Sequence, residues 1–261
     1  MGEESMLTAE EAVFCSVSFI YGMCTGSFLN VVIYRLPKGI SVISGRSSCR
    51  DCGSQLKAYE LLPVISFALL RGKCAHCGSS ISLRYPVVEL ISGLAAAASY
   101  LAYGISVRAL LLFIMAAILI AVAFIDMDTM TIPDSLVVSA VPIALILALM
   151  DSALTLASAA AGSLSVSVFM IVMNWIVPDS FGGGDIKLMA VCGFFLGWQN
   201  ALLSFFIAVF TGGTFAVWLI ASRRSGRGSH MAFGPFLCLG IFVSMIMGTR
   251  IVESYINMLK F

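Results

Sequence analysis

The chain has 261 residues, of which 60% are hydrophobic and only 11% are charged. A soluble globular domain is roughly half apolar and about a quarter charged, so this chain lacks the ionic surface that solubility requires. The composition excludes a soluble domain, a disordered chain, a coiled coil and a disulfide-stapled secreted module. It indicates an all-α polytopic membrane protein.

Long apolar runs predict where the chain crosses the membrane. An α-helix needs about 20 mostly apolar residues to cross the hydrocarbon core, and marking such runs predicts about eight transmembrane helices. The first run has no basic segment before it, so we interpret it as a retained helix and not a cleaved signal peptide. The runs lie near residues 12–33, 86–104, 109–126, 134–150, 153–177, 186–198, 200–222 and 232–252.

The placement of basic residues predicts the orientation, because cytosolic loops are enriched in Lys and Arg. With eight spans and an external N-terminus, 12 of the 15 basic residues fall in cytosolic loops, and only Arg108, Arg250 and Lys260 fall outside. Both termini are then external. The 12 are Arg35, Lys38, Arg46, Arg50, Lys57, Arg71, Lys73, Arg84, Lys187, Arg223, Arg224 and Arg227.

This orientation predicts three parts. They are an N-terminal tail with the first helix (1–33), a cytosolic domain (34–85) and a transmembrane domain (86–261). Within the cytosolic part, the apolar stretch 61–70 is too short to span the bilayer and contains Pro63. We expect that stretch to pack on its own domain or to lie at the membrane surface.

The eight cysteines fall into two groups. Four stand singly in apolar runs and are interpreted as small hydrophobic residues: Cys15, Cys24, Cys192 and Cys238. The other four form two copies of C-x-x-C-G-S, at Cys49 and Cys52 and again at Cys74 and Cys77. Each copy is called a knuckle below. Four thiolates at this spacing can surround a tetrahedral Zn²⁺, and the glycine after each pair permits the turn that points backbone N–H groups at sulfur.

A disulfide pair and a redox C-x-x-C are the alternatives to zinc. The cytosolic location argues against a lasting disulfide, and two matched knuckles are atypical of a redox motif. We therefore expect a structural zinc on the four cysteines, with His76 as a bystander. A zinc with four protein ligands leaves no position for water, so catalysis is sought elsewhere.

Two acidic clusters lie at the predicted cytosolic ends of helices, and carboxylates in such positions point to function. Asp126 ends the third predicted span, and Asp185 follows three glycines and opens the sixth. Two neighbouring carboxyl groups share a proton, so that one acts as base on water and the other as acid, as in aspartic proteases. The alternative is that the glycines form a packing surface and that Asp185 is only a helix cap. A cap explains one cluster but not two.

Helix dipoles suggest a division of roles within this pair. Asp185 lies at a helix N-terminus, which favours the carboxylate, whereas Asp126 lies at a C-terminal end, which favours the protonated acid. Asp134, which follows Pro133, is interpreted as the helix cap at the start of the fourth span, and Asp128 is left open. Rival hypotheses are a transporter that binds cargo through these carboxylates and a zinc-dependent assembly factor without chemistry.

The order of motifs resembles the type IV prepilin peptidases, membrane aspartyl proteases of the GxGD class. The resemblance covers nearly the whole chain: residues 26–37 (GSFLNVVIYRLP), the two knuckles, residues 84–89 (RYPVVE), residues 125–134 (IDMDTMTIPD) and residues 182–187 (GGGDIK). It implies that Asp126 and Asp185 are the catalytic pair. It also implies a multi-pass protein of the bacterial inner membrane that cleaves the leader of type IV prepilins or pseudopilins and then N-methylates the new N-terminus from S-adenosylmethionine.

The methyl-donor site is less direct to predict, because no glycine-rich Rossmann fingerprint is present. Our candidates are Asn30, Arg84 and Glu89, for which the alternative is a topology signal or helix capping. The expected partners are membrane lipid and a prepilin with a basic leader and an apolar helix, and no nucleic acid is expected. A peptidase without methyltransferase activity is the nearest rival.

Overall fold

The computed structural model describes residues 9–222 and 231–259, and its named elements in these two ranges are helices and short 3₁₀ turns. The all-α prediction is confirmed. The basic residues Arg223, Arg224, Arg227 and Lys260, which enter the orientation argument, lie outside the described residues. The helices are α1 (Ala9–Arg35), α2 (Ile65–Leu69), α3 (Arg84–Tyr103), α4 (Val107–Thr129), α5 (Asp134–Met150), α6 (Leu156–Ile176), α7 (Gly183–Ala221) and α8 (Gly234–Leu259).

Six of the described helices are long and apolar enough to cross a membrane, namely α1, α3, α4, α6, α7 and α8. Helix α5 is apolar but shorter. Helix α7 covers both the sixth and the seventh predicted runs. It is interrupted at Gly197, whose φ of 73° and ψ of 167° fall in a region open almost only to glycine. The count of eight crossings stays a prediction.

The starts of two helices follow simple sequence signals. The hydroxyl of Thr155 accepts a hydrogen bond from the Ser158 N–H at 3.2 Å and so satisfies a free donor at the start of α6. Pro133 stands immediately before α5, where its missing N–H costs nothing. The long apolar runs between such signals then form helices whose backbone groups bond internally, as a bilayer requires.

The chain divides into two compact units between Ile120 and Ala121. In the first unit, α1 packs on α3 through small residues. A Cβ added at Gly22 would lie 2.5 Å from the Ser92 carbonyl oxygen, and one at Gly26 would lie 2.6 Å from the Cα of Glu89. This close approach, typical of membrane helix pairs, brings the end of α1 against the beginning of α3.

In the second unit, α7 packs against both α6 and α8. Gly162 of α6 and Gly193 of α7 approach so closely that a Cβ on either would overlap the backbone of the other. Gly240 of α8 stands in the same relation to the backbone of Ser204 in α7. These glycine contacts hold α6 and α8 close against α7, whose first turn carries Asp185.

Candidate active site and metal centre

Asp126 occupies the last turn of α4 and is only 5% exposed. Its Oδ2 accepts a hydrogen bond of 3.0 Å from the backbone N–H of Gly234, the first residue of α8. A Cβ at position 234 would lie 2.6 Å from this oxygen. Only glycine therefore lets the backbone of α8 come close enough to bind the carboxyl group in this way.

Asp185 is the third residue of α7 and is also buried. Its Oδ2 accepts a hydrogen bond of 3.3 Å from the Gly182 N–H, which is the contact of a helix cap. Its Oδ1 is buried and accepts no hydrogen bond from the described residues. The capping role thus uses one oxygen and leaves the other for a further partner.

The two carboxyl groups belong to the same unit and lie within electrostatic range of each other. Three aromatic rings connect the segment before Asp185 with the start of α8, which binds Asp126. Phe181 precedes the glycines before Asp185, Phe233 precedes Gly234, and their ring centroids are 5.4 Å apart. Phe205 of α7 completes the cluster, at 6.0 Å from Phe181 and 6.4 Å from Phe233. Such edge contacts add about 0.5–1.5 kcal/mol each beyond the burial of the rings.

The segment before Asp185 is held by Asn174 at the end of α6. The Asn174 amide donates to the Phe181 carbonyl oxygen at 2.8 Å, and its Oδ1 accepts from the Phe181 N–H and the Ser180 hydroxyl, each at 2.8 Å. On the other side, a Cβ at Gly184 would lie 2.6 Å from the Cβ of Ile132, whereas one at Gly183 would meet nothing within 4 Å. The three glycines are therefore not equivalent.

The other acidic residues nearby differ from this pair because they are not buried. Asp134 is at the start of α5, as predicted, but its side chain forms an exposed ion pair of 2.7 Å with Lys187 and does not cap the helix. Asp128 is exposed as well. Burial thus separates Asp126 and Asp185 from the acidic residues next to them.

The four knuckle cysteines form the group predicted to hold a metal. Their Sγ atoms all lie within 4.8 Å of one another, and the sulfurs of Cys49 and Cys77 are 3.9 Å apart. With Zn–S bonds of about 2.3 Å, tetrahedral ligands are separated by about 3.8 Å. The donor set and its spacing therefore fit a metal ion such as zinc.

The two knuckles share one backbone geometry. The Cys49 N–H donates to the Ser54 carbonyl oxygen at 2.9 Å, and in the second copy the Cys74 N–H donates to the Ser79 carbonyl oxygen at 2.8 Å. Gly53 and Gly78 have φ values of 71° and 74°, which glycine adopts without strain. The repeated sequence thus folds into a repeated turn.

The surroundings favour the thiolate at Cys49 and Cys77. At Cys74 the backbone N–H groups of Cys77 and His76 are outweighed by burial and by the Cys49 and Cys77 thiols, which raise its pKa. The backbone N–H groups of Cys52 and Asp51 lower the pKa of Cys49 to about 6, and the hydroxyl of Ser79 lowers the pKa of Cys77. The His76 imidazole is turned to Glu60, with Nε2 at 3.4 Å from Oε1. The contact supports the role of His76 as a bystander, which stays a prediction.

The three candidates for the methyl-donor site lie in the first unit, where α1 ends and α3 begins. Asn30 is buried, and its amide donates to the carbonyl oxygens of Gly26 and Tyr85 at 3.3 and 3.2 Å. Glu89 is buried, and its Oε2 accepts from the Val64 N–H at 2.7 Å. Arg84 is half-buried at the first position of α3. Asn30 joins the two helices, and Glu89 joins α3 to Val64 in the predicted cytosolic domain, residues 34–85.

Several residues of these sites carried no signal that sequence patterns detect. Gly234 is 108 positions from Asp126, and Val64 is 25 positions from Glu89. Arg50 lies between the knuckle cysteines, and its guanidinium stands 3.9 Å from the ring centroid of Tyr34 and 5.4 Å from that of Tyr85. Its position inside a knuckle is the one feature that could have drawn attention to it.

Two stretches of the chain match known protein families. Residues 20–103 match the family described as the bacterial peptidase A24 N-terminal domain, and residues 113–217 match the type IV leader peptidase family. No solved structure matches the chain.

Curated relatives cover almost the full length. A prepilin leader peptidase/N-methyltransferase of Pseudomonas putida is 31% identical over 98% of this chain and 99% of its own. One of Bacillus subtilis is 34% identical over 93% and 98%, and one of Burkholderia pseudomallei is 34% identical over 89% and 85%. These matches confirm the resemblance stated from the motifs: the chain belongs to the type IV leader peptidase family.

Proposed function

We propose that this protein is a bifunctional enzyme of the bacterial inner membrane that cleaves the leader of type IV prepilins and N-methylates the new N-terminus. Two observations support this function. The relatives that match the whole chain have both activities in their names, and several helices of this chain are long enough to cross a membrane. The single observation that carries the peptidase activity is the pair of buried carboxyl groups, Asp126 and Asp185, in one unit.

For cleavage, one carboxylate removes a proton from water, which attacks the scissile carbonyl group, while the other carboxyl group protonates the leaving amine. The Oδ1 of Asp185, which is buried without a partner among the described residues, is suited to bind that water. Both aspartates lie in end turns of their helices, which supports chemistry at the membrane surface and not the mid-bilayer site of a transporter.

The substrate follows from this location. A prepilin with a basic leader and an apolar helix can rest beside the membrane helices and present its leader junction at the boundary with water. We propose that this boundary is the cytosolic one. The excess of basic residues in the predicted cytosolic loops supports an orientation with both termini outside and residues 34–85 inside. The division into segments 1–33, 34–85 and 86–261 belongs to the same proposal.

We assign Cys49, Cys52, Cys74 and Cys77 to a structural zinc. The fit rests on four sulfurs within 4.8 Å and on backbone N–H groups that favour thiolates. A closed four-sulfur site leaves no open coordination position, so the ion would hold the two knuckles together and take no part in catalysis.

For methylation, S-adenosylmethionine would supply the methyl group to the amine that cleavage exposes. We propose Asn30, Arg84 and Glu89 as the residues that hold the donor. Buried polar side chains and a carboxyl group where two membrane helices approach support this assignment, since a charged donor needs such partners within an apolar environment. Contacts with Gly26 and Tyr85 would keep Asn30 in place, and the contact with Val64 would keep Glu89 in place.

One experiment tests both activities. Full-length protein in proteoliposomes is incubated with a prepilin and isotope-labelled methyl donor, and the mass of the product N-terminus is measured. We expect a product that lacks the leader and carries one labelled methyl group. Cleavage without methylation would leave a peptidase only, and no cleavage would overturn the proposed function.

A further inference from the structure

The apolar stretch between the two knuckles does not pack away inside its own domain. It forms a 3₁₀ turn (Ala58–Leu61) and the short helix α2. The side chains of Leu62, Ile65 and Leu69 are 47%, 54% and 77% exposed. Three large apolar residues exposed within eight positions require a partner other than water.

The position of this stretch along the membrane helices is set by one contact. The Val64 N–H donates to Glu89, which lies five residues beyond the start of α3, or about 7 Å along the helix axis. The Cα of Glu89 in turn faces Gly26, nine residues before the end of α1, or about 13 Å. Val64 therefore lies beside the two helices and not above their ends.

The backbone here is suited to an apolar environment. Pro63 has no N–H, and the N–H groups of Val64, Ser66 and Ala68 donate to Glu89, Leu62 and Val64 at 2.7, 3.1 and 3.0 Å. Val64 has a φ of 59°, a costly backbone conformation for a β-branched residue. The hydrogen bond to Glu89 offsets this cost, and donors satisfied in this way can be placed in lipid.

Basic residues stand on both sides of the stretch. Lys57 precedes it, and Arg71 and Lys73 follow it, all three exposed. Apolar side chains flanked by Lys and Arg are typical of segments that lie in the membrane interface, where the cations meet lipid phosphates. Exposed Leu90, Ile91 and Leu94 on α3 continue the apolar surface towards the bilayer core.

We propose that residues 62–69 insert into the interface of the bilayer beside α1 and α3, with lipid as the partner of Leu62, Ile65 and Leu69. Glu89 tethers the segment at this depth through Val64, and Arg71 and Lys73 face the phosphates. This inference rests on α1 and α3 being membrane helices. It does not depend on substrate, metal or turnover.

Tryptophan fluorescence tests the proposal in the full-length protein. A background with Trp175, Trp198 and Trp218 changed to Phe receives either Leu69→Trp or, as the control, Ala75→Trp at an exposed position inside the second knuckle. Both variants are reconstituted into vesicles of lipid brominated near the headgroup end of the acyl chains.

We expect quenching of Leu69→Trp to be at least about twofold stronger than that of Ala75→Trp, because the bromines contact only side chains at interface depth. Equal quenching of the two would overturn the proposal. If the emission of Leu69→Trp is not quenched by the bromines but shifts in wavelength when a prepilin is added, this face binds the substrate. That result would also overturn the proposal. Zinc content measured on both variants checks that the domain is folded.

Discussion

Gly234 and Gly182 each donate a backbone N–H to one of the two aspartates. Main-chain donors cannot swing away as side chains do, so the carboxyl groups are positioned before substrate arrives. The arrangement explains why glycines adjoin the acidic residues, because a side chain at 234 would occupy the place of the Asp126 oxygen.

The glycines before Asp185 give a prediction with a built-in control. Gly184→Ala should lower leader cleavage by about 10- to 100-fold, since its Cβ would lie 2.6 Å from Ile132 and a small displacement of Asp185 is costly. Gly183→Ala should cleave at a rate close to the unmodified enzyme, because nothing lies within 4 Å of its Cβ. Equal rates for the two variants in a prepilin cleavage assay would refute this view of the segment.

Glu89 gives a prediction for the second activity. Glu89→Ala should lower methylation by more than about tenfold, because it removes a buried acceptor and frees Val64, while leader cleavage persists. Mass analysis of the product N-terminus measures both. Normal methylation would remove Glu89 from the donor site. Glu89→Gln can still accept the hydrogen bond from the Val64 N–H but has no negative charge. This variant therefore distinguishes the effect of the hydrogen bond from the effect of the charge.

At the scale of elements, the proposed metal site joins the two knuckles, since its ligands would come from both. Cys52→Ser should lower bound zinc from about one ion per chain to a small fraction, because a hydroxyl is a poor substitute for thiolate. Cys24→Ser, which changes an exposed and isolated thiol of α1, should keep its zinc. Elemental analysis of purified proteins measures the difference, and full zinc in Cys52→Ser would contradict the four-sulfur site.

The apolar runs predicted the helices well, because burying a helix in lipid depends on residues close in sequence. The run 134–150 coincides with α5. The predicted boundary between the runs 186–198 and 200–222 falls within two residues of the break at Gly197, whereas Gly212 and Gly213 lie in the same helix and stay helical. The difference arises from packing, because a Cβ at Gly197 would meet Leu154 and Ser158 at 2.9 Å.

The chemical groups of the sites were predictable from the sequence, but the contacts that position those groups were not. The spacing of cysteines and the pairing of acidic motifs are visible in the chain, and these identify Cys49 and its partners, Asp126 and Asp185. The Gly234 donor, the aromatic cluster and the Val64 tether depend on contacts between residues distant in sequence. No local pattern encodes such contacts.

At the scale of the whole molecule, the residues fall into two sets. The proposed metal ligands and donor-site residues belong to residues 9–120, and both aspartates belong to residues 121–259. The relatives match this chain over almost its full length, and their names include both activities. We therefore expect substitutions in the first unit to act mainly on methylation and those in the second to act on cleavage.

The most direct test of the aspartate pair is prepilin cleavage by three Asn variants of the full-length protein in proteoliposomes. Asp126→Asn and Asp185→Asn should lose more than about 100-fold of the cleavage rate, because loss of either carboxyl group removes the acid–base step, and both should keep their zinc. Asp134→Asn, which changes an exposed aspartate of the same region, should cleave at nearly the unmodified rate. Substantial cleavage by Asp126→Asn or Asp185→Asn would contradict the catalytic pair.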